Sequence, residues 1–475
     1  MKALSSSTTF MAYTIIGVTS ALISFITMIV LTRTASEAFF GQINKFITAS
    51  NVAMSLVCLG LDSAYIRFYY EPPASTTSKQ LAWKCISPTL FVFLLLSFLI
   101  ILFRNNSSLI PLLGGGGLFF TVAFVITVFS QFLNRFLTIY FRMNSKVASF
   151  SIVTIAFVVL TKTVFIPIYH ITPKFEDNII IAAPFLGLFM FILFLCNAKK
   201  MIAISHNSIK SYKKVYRYAF FSSPVFVITY LNGYLPQVII SNKLGDDILG
   251  IYSAALLFCS AILVLSTGFS TFWSPYMYKN YKTECCVIKN VHDLVLLISV
   301  VVMSLILIFS DVIYLFIGEA FRKNQNILGM LLVYPIILII VETVAYGIGI
   351  KKKNEISLFI YFFSTTTNVA LCLALVSKYG LDGIAFASMV SAIVQMVLMT
   401  YFGQKYYKSI NHIGRTVFHI CALVLSATLF YFLYDSIYTF VIAEIIILTA
   451  CIIYDKDIIL WSFQLLKSKR NERIR

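Results

Sequence analysis

The stretch KKMIAISHNSIKSYKKVYR, residues 199–217, contains six lysines and arginines and no acidic residue. On both sides of it lie apolar blocks of about 20 residues, the length that an α-helix needs to cross a bilayer. Loops on the cytoplasmic side of membrane proteins are enriched in lysine and arginine. We therefore expect residues 199–218 to form a basic cytoplasmic linker between two membrane-embedded halves of the chain.

The composition of the whole chain is typical of a membrane protein. Of its 475 residues, 59% are hydrophobic and 12% are charged, whereas about a quarter of the residues in a soluble domain are charged. The formal net charge is +18. The basic residues lie in short loops between apolar blocks, where they suit a membrane surface with anionic lipids better than a nucleic acid. The sequence therefore predicts a polytopic helical membrane protein with no nucleic-acid partner.

Fourteen apolar blocks are long enough to be membrane-spanning helices. We predict an all-α protein with a six-helix N-lobe at 1–198, the linker at 199–218, a six-helix C-lobe at 219–404, and a C-terminal helix pair with a basic cytoplasmic tail at 405–475. The predicted spans are 10–31, 40–61, 82–103, 117–138, 147–169, 179–197, 219–241, 247–273, 290–317, 327–350, 356–377, 382–403, 414–434 and 436–454.

The distribution of basic residues predicts which side of the membrane the termini face. The even-numbered loops and the two tails hold 28 lysines and arginines, and the odd-numbered loops hold 7. Because positive charge marks the cytoplasmic side, we expect both termini to be cytoplasmic. The nine cysteines mostly lie within apolar blocks and show no metal-ligand spacing. Neither a metal nor a cofactor is therefore expected.

Two segments indicate an internal repeat. TRTASEAFFGQI, residues 32–43, and SNKLGDDILGIY, residues 241–252, each begin where the first span of a half ends. Six spans separate them, so the two copies have the same orientation, and an axis along the membrane normal relates them. Such a repeat predicts two lobes that face each other across a cleft. Each copy places an acidic residue four positions before a glycine, Glu37 before Gly41 and Asp246 before Gly250.

Charged residues within the apolar spans are candidate functional residues, because a charge at the bilayer centre costs about 2.5–3.5 kcal/mol on insertion scales. Lys162 lies well inside its predicted span, whereas Lys45 and Arg135 lie nearer to span ends and could extend to the interface. With Arg33 and Arg67, these residues predict a cationic cleft. Arginine and lysine bind phosphate oxygens through charge-assisted hydrogen bonds, so this cleft suits a phosphate-bearing substrate.

Acidic residues near the spans are candidates for ion coupling. Glu342, in the tenth predicted span, is the first candidate for binding a coupling proton or cation. Asp62 is the second. It lies five residues before Arg67, and a local ion pair between the two is as good an interpretation as contact with the substrate. Glu444, in the last predicted span, is expected either to face neighbours on the lipid side or to have a structural partner.

Several segments resemble a known family of transporters. The runs LTRTASEAFFGQ and GLDSAYIRFYYE resemble the start of the polysaccharide-transport flippases, which are of the O-antigen or Wzx type. YAFFSSPVFVITYLNGYLPQVIISNKLGDDILGIYSAA, residues 218–255, resembles their seventh and eighth helices. KYGLDGIAFAS, residues 378–388, resembles their connection between the eleventh and twelfth helices. Many members of the family have twelve spans, so the fourteen predicted here are a departure from the family pattern.

The resemblance places the chain in the multidrug/oligosaccharidyl-lipid/polysaccharide exporter superfamily and implies a flippase, not an enzyme. Two lobes would open alternately to either side of a bacterial inner membrane. The implied substrate is an undecaprenyl-pyrophosphate-linked oligosaccharide repeat unit of O-antigen or a similar surface polysaccharide. The resemblance further implies contact with membrane lipids, coupling to a proton or sodium gradient, and interaction with the polysaccharide polymerase machinery.

Three other functions are alternatives. A drug/cation antiporter of the same superfamily favours a lone acidic residue in its first helix, and residues 10–31 contain none. A membrane polysaccharide polymerase or ligase needs a sizeable outer loop with catalytic residues. The outer loops predicted here are short, and His170 stands alone near one of them. A lipid-II-type flippase is disfavoured because the first predicted helix carries few charges.

Overall fold

The computed structural model describes residues 2–70, 72–73, 76–106, 112–204, 212–351, 353–462 and 464, and over these residues the chain is helical, without a β-strand. The helices are α1 (Lys2–Thr34), α2 (Glu37–Cys58), α3 (Leu61–Phe68), α4 (Ser78–Leu102), α5 (Leu118–Met143), α6 (Val147–Ile171), α7 (Phe175–Met201), α8 (Lys213–Leu244), α9 (Asp246–Asn280), α10 (Cys285–Ile308), α11 (Ser310–Tyr314), α12 (Leu328–Val344), α13 (Tyr346–Ile350), α14 (Asn354–Tyr406), α15 (Ile413–Leu433) and α16 (Ile437–Tyr454).

The described helices account for fourteen membrane crossings, as the hydropathy predicts. Twelve helices are long and apolar enough to span a bilayer, and the pair α2 and α3, bent by 58°, adds a thirteenth crossing. The bend lies at Leu59 and Gly60, which have φ values of 46° and 70°. The fourteenth crossing comes from α14, which is too long for a single span at 53 residues.

Helix α14 folds back on itself at Gly380. This glycine has φ 55° and ψ −129°, outside the helical region. The Ser364 hydroxyl donates a hydrogen bond to the Ser391 carbonyl oxygen at 3.0 Å, although the two residues are 27 positions apart. In a straight helix they would be about 40 Å apart. The two halves of α14 are therefore antiparallel neighbours, which correspond to the predicted eleventh and twelfth spans.

The chain divides into two compact units. Unit 1 comprises Met1–Ala254 and Ile317–Phe321, and unit 2 comprises Ala255–Phe316 and Arg322–Arg475. The predicted lobes at 1–198 and 219–404 follow the sequence repeat and remain a prediction. Part of the predicted linker is helical, since α7 continues to Met201 and α8 begins at Lys213. Residues 205–211 of the linker lie outside the described residues.

Aromatic packing holds three helices of unit 1 together. The Phe46 ring of α2 meets the Phe120 and Phe124 rings of α5 and the Phe175 ring of α7, with centroids 5.5–6.0 Å apart. Phe46, Phe120 and Phe124 are almost fully buried. Buried aromatic pairs of this kind contribute about 0.5–1.5 kcal/mol each beyond the area they bury. The helices that carry the candidate site of unit 1 are thus firmly positioned.

The two copies of the sequence repeat touch each other within unit 1. A Cβ atom added at Gly41 would lie 2.5 Å from the Asp246 carbonyl oxygen. A Cβ atom added at Gly250 would lie 2.1 Å from the Glu37 carbonyl oxygen. The contact is reciprocal, as expected of elements related by a twofold axis. Glycine at both positions allows the backbones of α2 and α9 to approach this closely.

A cluster of charges, of which Asp293, Arg415, His419 and Asp455 are buried and Asp457 is exposed, joins the C-terminal helix pair to α10 in unit 2. The Arg415 guanidinium of α15 lies 2.8 Å from an Asp293 oxygen, 3.1 Å from an Asp455 oxygen and 3.0 Å from an Asp457 oxygen. His419 Nε2 lies 2.7 Å from the second Asp455 oxygen. Burial tends to raise the pKa of the Asp457 carboxyl, but hydrogen bonds and charge attraction from Arg415 outweigh this effect, so its pKa is lowered.

Candidate functional site

A short π-helical segment within α6, Val159–Thr163, holds Lys162. The Lys162 ammonium donates a hydrogen bond to the Ser24 hydroxyl of α1. One turn of α1 further on, the hydroxyl oxygens of Thr27 and Thr163 lie 3.1 Å apart. π-Helical turns widen a helix locally and occur often at functional sites. Here the turn brings a lysine into contact with a neutral hydroxyl group rather than a carboxylate.

Lys162 lines a cavity of about 240 Å³ inside unit 1. Helices α2, α5, α6 and α7 supply its walls. The polar part of the lining lies among apolar residues and aromatic rings such as Phe46 and Phe157. The polar lining residues besides Lys162 are Ser50, Asn51, Thr127, Gln131 and Thr161.

A second cavity, of about 280 Å³, adjoins the first. The two share Asn51, Gln131 and Phe157 as lining residues. Together they form a chamber within unit 1, lined by apolar and polar side chains, that has Lys162 in one part and Arg135 in the other. We call the two cavities together the unit 1 chamber. The remaining residues of the second cavity are Met54, Ser55, Cys58, Gly60, Asp62, Asn134, Arg135, Thr138, Phe226 and Tyr230.

Arg135 is held by Asp62. Arg135 Nε lies 2.8 Å and Nη2 2.7 Å from Asp62 Oδ2. The Arg135 side chain is 47% exposed, whereas that of Asp62 is 10% exposed. The partner of Asp62 is therefore Arg135 of α5, and the ion pair with Arg67 that the spacing allowed is not the one that forms. The guanidinium keeps free donors on its exposed side, because one carboxylate oxygen cannot engage all five.

Gln131 sits where the two cavities meet, and its amide has a defined orientation. The Ser50 hydroxyl donates to the Ile47 carbonyl oxygen at 2.8 Å. The Ser50 oxygen therefore accepts from Gln131 Nε2, at 2.7 Å. Gln131 Oε1 and the neighbouring Asn134 Oδ1 are buried and accept no hydrogen bond from any described residue. A buried acceptor without a donor costs about 1–3 kcal/mol.

Lys45 lies outside the unit 1 chamber, at the contact between the repeat copies. It is 3% exposed. Its ammonium donates to the Ser241 hydroxyl at 2.5 Å and lies 3.4 Å from Asp246 Oδ1. The Gln42 amide donates to Asp246 Oδ2 at 2.8 Å. Lys45 is thus neutralised by a carboxylate of the chain itself.

Arg33 and Arg67 are exposed and do not line the two cavities. Arg33 lies in the last turn of α1. Arg67 lies at the end of α3, where its guanidinium is 5.7 Å from the centre of the Phe68 ring. Of the five cations that the sequence predicts for one cleft, the structure brings Lys162 and Arg135 to the unit 1 chamber.

Glu342 lines a cavity of about 310 Å³ in unit 2. Its Oε2 atom accepts a hydrogen bond from the Tyr346 hydroxyl at 3.1 Å. Glu342 is the carboxylate of a lining that otherwise offers neutral hydroxyl groups, those of Ser270, Ser274, Tyr278, Tyr346, Ser357 and Tyr361. Such a carboxylate could bind a proton or a small cation.

Glu444 differs from Glu342 in its surroundings. It is fully buried in α16 and accepts a hydrogen bond from the Ser304 hydroxyl at 2.8 Å. Of the two alternatives for Glu444, neighbours on the lipid side or a structural partner, this contact supports the structural partner. Among the described residues, no three histidine, cysteine or acidic side chains are arranged to hold a metal ion.

The sequence contains a signal for the amide groups of the unit 1 chamber, and this signal lies in the spacing of polar residues rather than in the charges. Gln131, Asn134, Arg135 and Thr138 recur at helical spacing in an otherwise apolar span. They form one polar stripe on α5, and all four line the second cavity. A polar stripe on a membrane helix faces protein or water rather than lipid.

The fold is that of known membrane transporters. The chain is similar to the lipid II flippase MurJ in an inward closed conformation, with 15% identity, a TM-score of 0.68, and coverage of 94% of this chain and 99% of that one. It is also similar to an inward-facing multidrug resistance MATE family transporter of the MOP superfamily, with 15% identity, a TM-score of 0.59, and coverage of 82% and 97%. An outward-facing MATE transporter matches with 13% identity, a TM-score of 0.51, and coverage of 82% and 93%.

Sequence comparison identifies the family. No curated protein matches the chain significantly by sequence. The model of a family described as polysaccharide biosynthesis protein matches residues 8–281, which is more than half of the chain. This match covers α2, α5 and α6, which carry the unit 1 chamber, and it agrees with the resemblance that the repeat segments indicate. The chain therefore belongs to the polysaccharide biosynthesis protein family of helical membrane proteins.

Proposed function

We propose that the protein is a flippase for undecaprenyl-pyrophosphate-linked oligosaccharide repeat units of O-antigen or a similar surface polysaccharide. The family match and the MurJ-like and MATE-like fold support a transporter of lipid-linked substrates. The proposal includes a bacterial inner membrane, cytoplasmic termini, transport from the cytoplasmic to the outer leaflet, and the polysaccharide polymerase machinery as a partner. No catalysis is proposed.

The observation that carries this proposal is the unit 1 chamber. Lys162 and Arg135 are the cations that line it. Lys162 has a hydroxyl group as its partner, so its charge remains available to a phosphate. Arg135 has an exposed side that can donate to phosphate oxygens while Asp62 orients it. A pyrophosphate group could thus find two cations in one chamber, whereas the charge of Lys45 is already balanced.

We further propose that Glu342 couples transport to a proton or sodium gradient. Its cavity in unit 2 supplies hydroxyl groups that could complete the coordination of a cation or share a proton. Asp62 is a weaker candidate for coupling, because its carboxylate is engaged by Arg135. Arg33 and Arg67, exposed at helix ends, are proposed as positive charges that attract the substrate's phosphates.

Deletion of the gene with analysis of lipid-linked precursors tests the proposed function. A flippase defect should cause complete lipid-linked repeat units to accumulate on the cytoplasmic side. Accumulation of single exported units would indicate a polymerase instead. An unchanged surface glycan together with increased drug sensitivity would indicate the multidrug exporter alternative.

Because MurJ has the same fold, lipid II transport needs a test of its own. Expression of this chain in cells depleted of their lipid II flippase separates the two substrates. We expect no rescue of growth. Rescue would replace the proposed oligosaccharide substrate with lipid II.

A further inference from the structure

We infer that His419 and Asp455 hold a proton between them, and that this proton balances the charges buried where the C-terminal helix pair meets α10. His419 lies one turn after Arg415 on α15, and Asp455 follows α16 directly. Neither His419 nor Asp455 lines the unit 1 chamber or the cavity of Glu342. The ligand of this site is a proton, so the inference does not depend on the substrate that the protein carries.

The first step of the argument is the set of partners of the His419 ring. His419 Nδ1 lies 2.8 Å from the Arg415 carbonyl oxygen. A carbonyl oxygen can only accept, so Nδ1 carries a proton. The other ring nitrogen, Nε2, lies 2.7 Å from an Asp455 carboxylate oxygen, the distance of a charge-assisted contact. Without a second proton, two lone pairs would meet there. This proton belongs to the pair, whichever of the two side chains carries it.

The second step is the balance of buried charge. The side chains of Asp293 and Asp455 are fully buried, and both contact the Arg415 guanidinium, whose side chain is 10% exposed. Two carboxylates and one guanidinium leave one negative charge in excess, and an unbalanced buried charge is strongly unfavourable. Asp457 also contacts Arg415, but its side chain is 64% exposed, so water screens its charge. A proton on the pair of His419 and Asp455 brings the buried net charge to zero.

The neighbouring histidine, His292 of α10, does not supply this charge. Its Nδ1 lies 2.6 Å from the Thr343 hydroxyl oxygen. Thr343 donates its own proton to the Ile340 carbonyl oxygen, so it accepts from His292. His292 Nε2 lies 3.0 Å from the Thr416 hydroxyl oxygen, which can donate to it. A neutral ring therefore satisfies both contacts of His292.

The other ionisable side chains near the pair do not supply the charge either. Cys451 and Tyr454 of α16 carry a thiol and a phenol, which are ordinarily neutral at pH 7. Lys289 of α10 is partly exposed and Lys456 is exposed. Among the described residues, neither lysine forms an ion pair with the charge cluster. The pair of His419 and Asp455 is thus the place where the balancing proton fits.

The proton stabilises the contact of three elements. Asp293 belongs to α10, Arg415 and His419 to α15, and Asp455 to the segment after α16. In an unfolded chain at neutral pH, a histidine is mostly uncharged and an aspartate is ionised. The folded protein therefore binds one proton more than the unfolded chain. Its stability falls as the pH rises and the pair loses this proton.

Thermal unfolding of the purified full-length protein in nanodiscs tests this inference. His419→Gln removes the titratable ring and leaves one unbalanced carboxylate, so it should lower the melting temperature by about 5 °C or more. Adding Asp455→Asn removes the excess negative charge. The double variant should therefore melt at a higher temperature than His419→Gln alone. If His419→Gln does not fold, the yield of folded protein from the two variants serves as the measurement.

His292→Gln is the matched control, because His292 is as fully buried as His419 but neutral. Adding Asp455→Asn to His292→Gln should not raise its melting temperature. The native protein supplies a second measurement. Its melting temperature should fall more steeply than that of Asp455→Asn when the pH is raised above neutral, since Asp455→Asn has no shared proton to lose.

Two results would overturn the inference. One is a double variant that melts no higher than His419→Gln alone, which would make His419 a packing residue. The other is a native protein whose melting temperature depends on pH in the same way as that of Asp455→Asn. Transport is not measured in these experiments, so either result leaves the proposed function unaffected.

Discussion

At the scale of single residues, the partner of each charge decides what that charge can do. Lys45 and Lys162 are both lysines within predicted spans of the same unit. Lys45 meets the Asp246 carboxylate and Lys162 meets the Ser24 hydroxyl. The charge of Lys45 is therefore balanced by a carboxylate of the chain, whereas Lys162 has only a neutral hydrogen-bond partner. The two lysines should therefore respond differently to the same substitution.

Replacing Lys162 with methionine should abolish most transport without unfolding the protein. Loss of a charge-assisted hydrogen bond to a phosphate removes about 1.5–3 kcal/mol of binding free energy, which is about a 10- to 100-fold change. Surface glycan should fall accordingly at equal expression. Normal glycan at equal expression would remove Lys162 from the proposed phosphate site.

Lys45→Met is the matched control for Lys162→Met. This substitution leaves the partly exposed Asp246 carboxylate without its cation, which should lower the free energy of unfolding by about 1–3 kcal/mol. Thermal unfolding of the two purified variants measures the difference. Equal melting temperatures would show that the Lys45–Asp246 pair does not stabilise unit 1.

Glu342 and Glu444 have the same side chain but different surroundings, so they can be compared in the same way as the two lysines. Glu342→Gln should weaken the dependence of transport on an ion gradient in proteoliposomes, because an amide cannot take up a proton or balance a cation. Glu444→Gln serves as the control, since Glu444 is fully buried and bonded to Ser304. It should keep the gradient dependence. If both variants keep it, Glu342 is a structural carboxylate.

At the scale of the elements, backbone geometry sets how closely helices pack. The repeat copies meet through Gly41 and Gly250, where a Cβ atom would lie 2.5 Å or less from a carbonyl oxygen of the other copy. The π-helical turn Val159–Thr163 similarly changes where Lys162 points within α6. Both features depend on local backbone conformation. Both determine where the helices and side chains of unit 1 lie.

Gly250→Ala should separate α2 and α9 and destabilise the protein. Its methyl group would lie 2.1 Å from the Glu37 carbonyl oxygen, and overpacking of this kind costs about 1–3 kcal/mol. Gly233→Ala in α8 is the control, because no atom lies within 4 Å of its added Cβ. Alanine favours the helix there by up to about 1 kcal/mol. A melting temperature for Gly250→Ala as high as that of Gly233→Ala would contradict the close contact.

At the scale of the whole molecule, fourteen crossings and the distribution of basic residues together define a topology. The fold at Gly380 decides the count, because it turns one continuous 53-residue helix into two crossings. If the basic loops are cytoplasmic, Lys353 and Asn411 lie on the cytoplasmic side and Lys378 on the outer side.

Cysteine labelling of intact cells tests this topology. In a variant without the nine native cysteines, Lys378→Cys should react with a membrane-impermeant reagent, whereas Lys353→Cys and Asn411→Cys should react only after the membrane is opened. Labelling of Lys353→Cys in intact cells, without labelling of Lys378→Cys, would reverse the orientation. Labelling of Lys353→Cys and Asn411→Cys from opposite sides would contradict the fold at Gly380.

The tail of the molecule illustrates what local sequence cannot predict. The span 414–434 is evident from its hydropathy. From the sequence alone, however, Arg415 at its start is assigned to the basic residues of a loop. In the structure Arg415 is buried. Its partner Asp293 comes from α10, and its partners Asp455 and Asp457 come from the segment that follows α16. Such a cluster depends on which helix ends meet, and hydropathy carries no information on that.

The sequence by itself determined the all-helical class and the order of the membrane helices, whereas the internal repeat stays a prediction. Transfer of apolar surface out of water depends on composition over about 20 residues, so it can be read locally. Only the tertiary structure decided which cations remain available to a ligand. Asp246 lies 201 positions from Lys45, and Ser24 lies 138 positions from Lys162. Electrostatic interactions act over a few ångströms in space, and the folded chain alone brings such distant residues together.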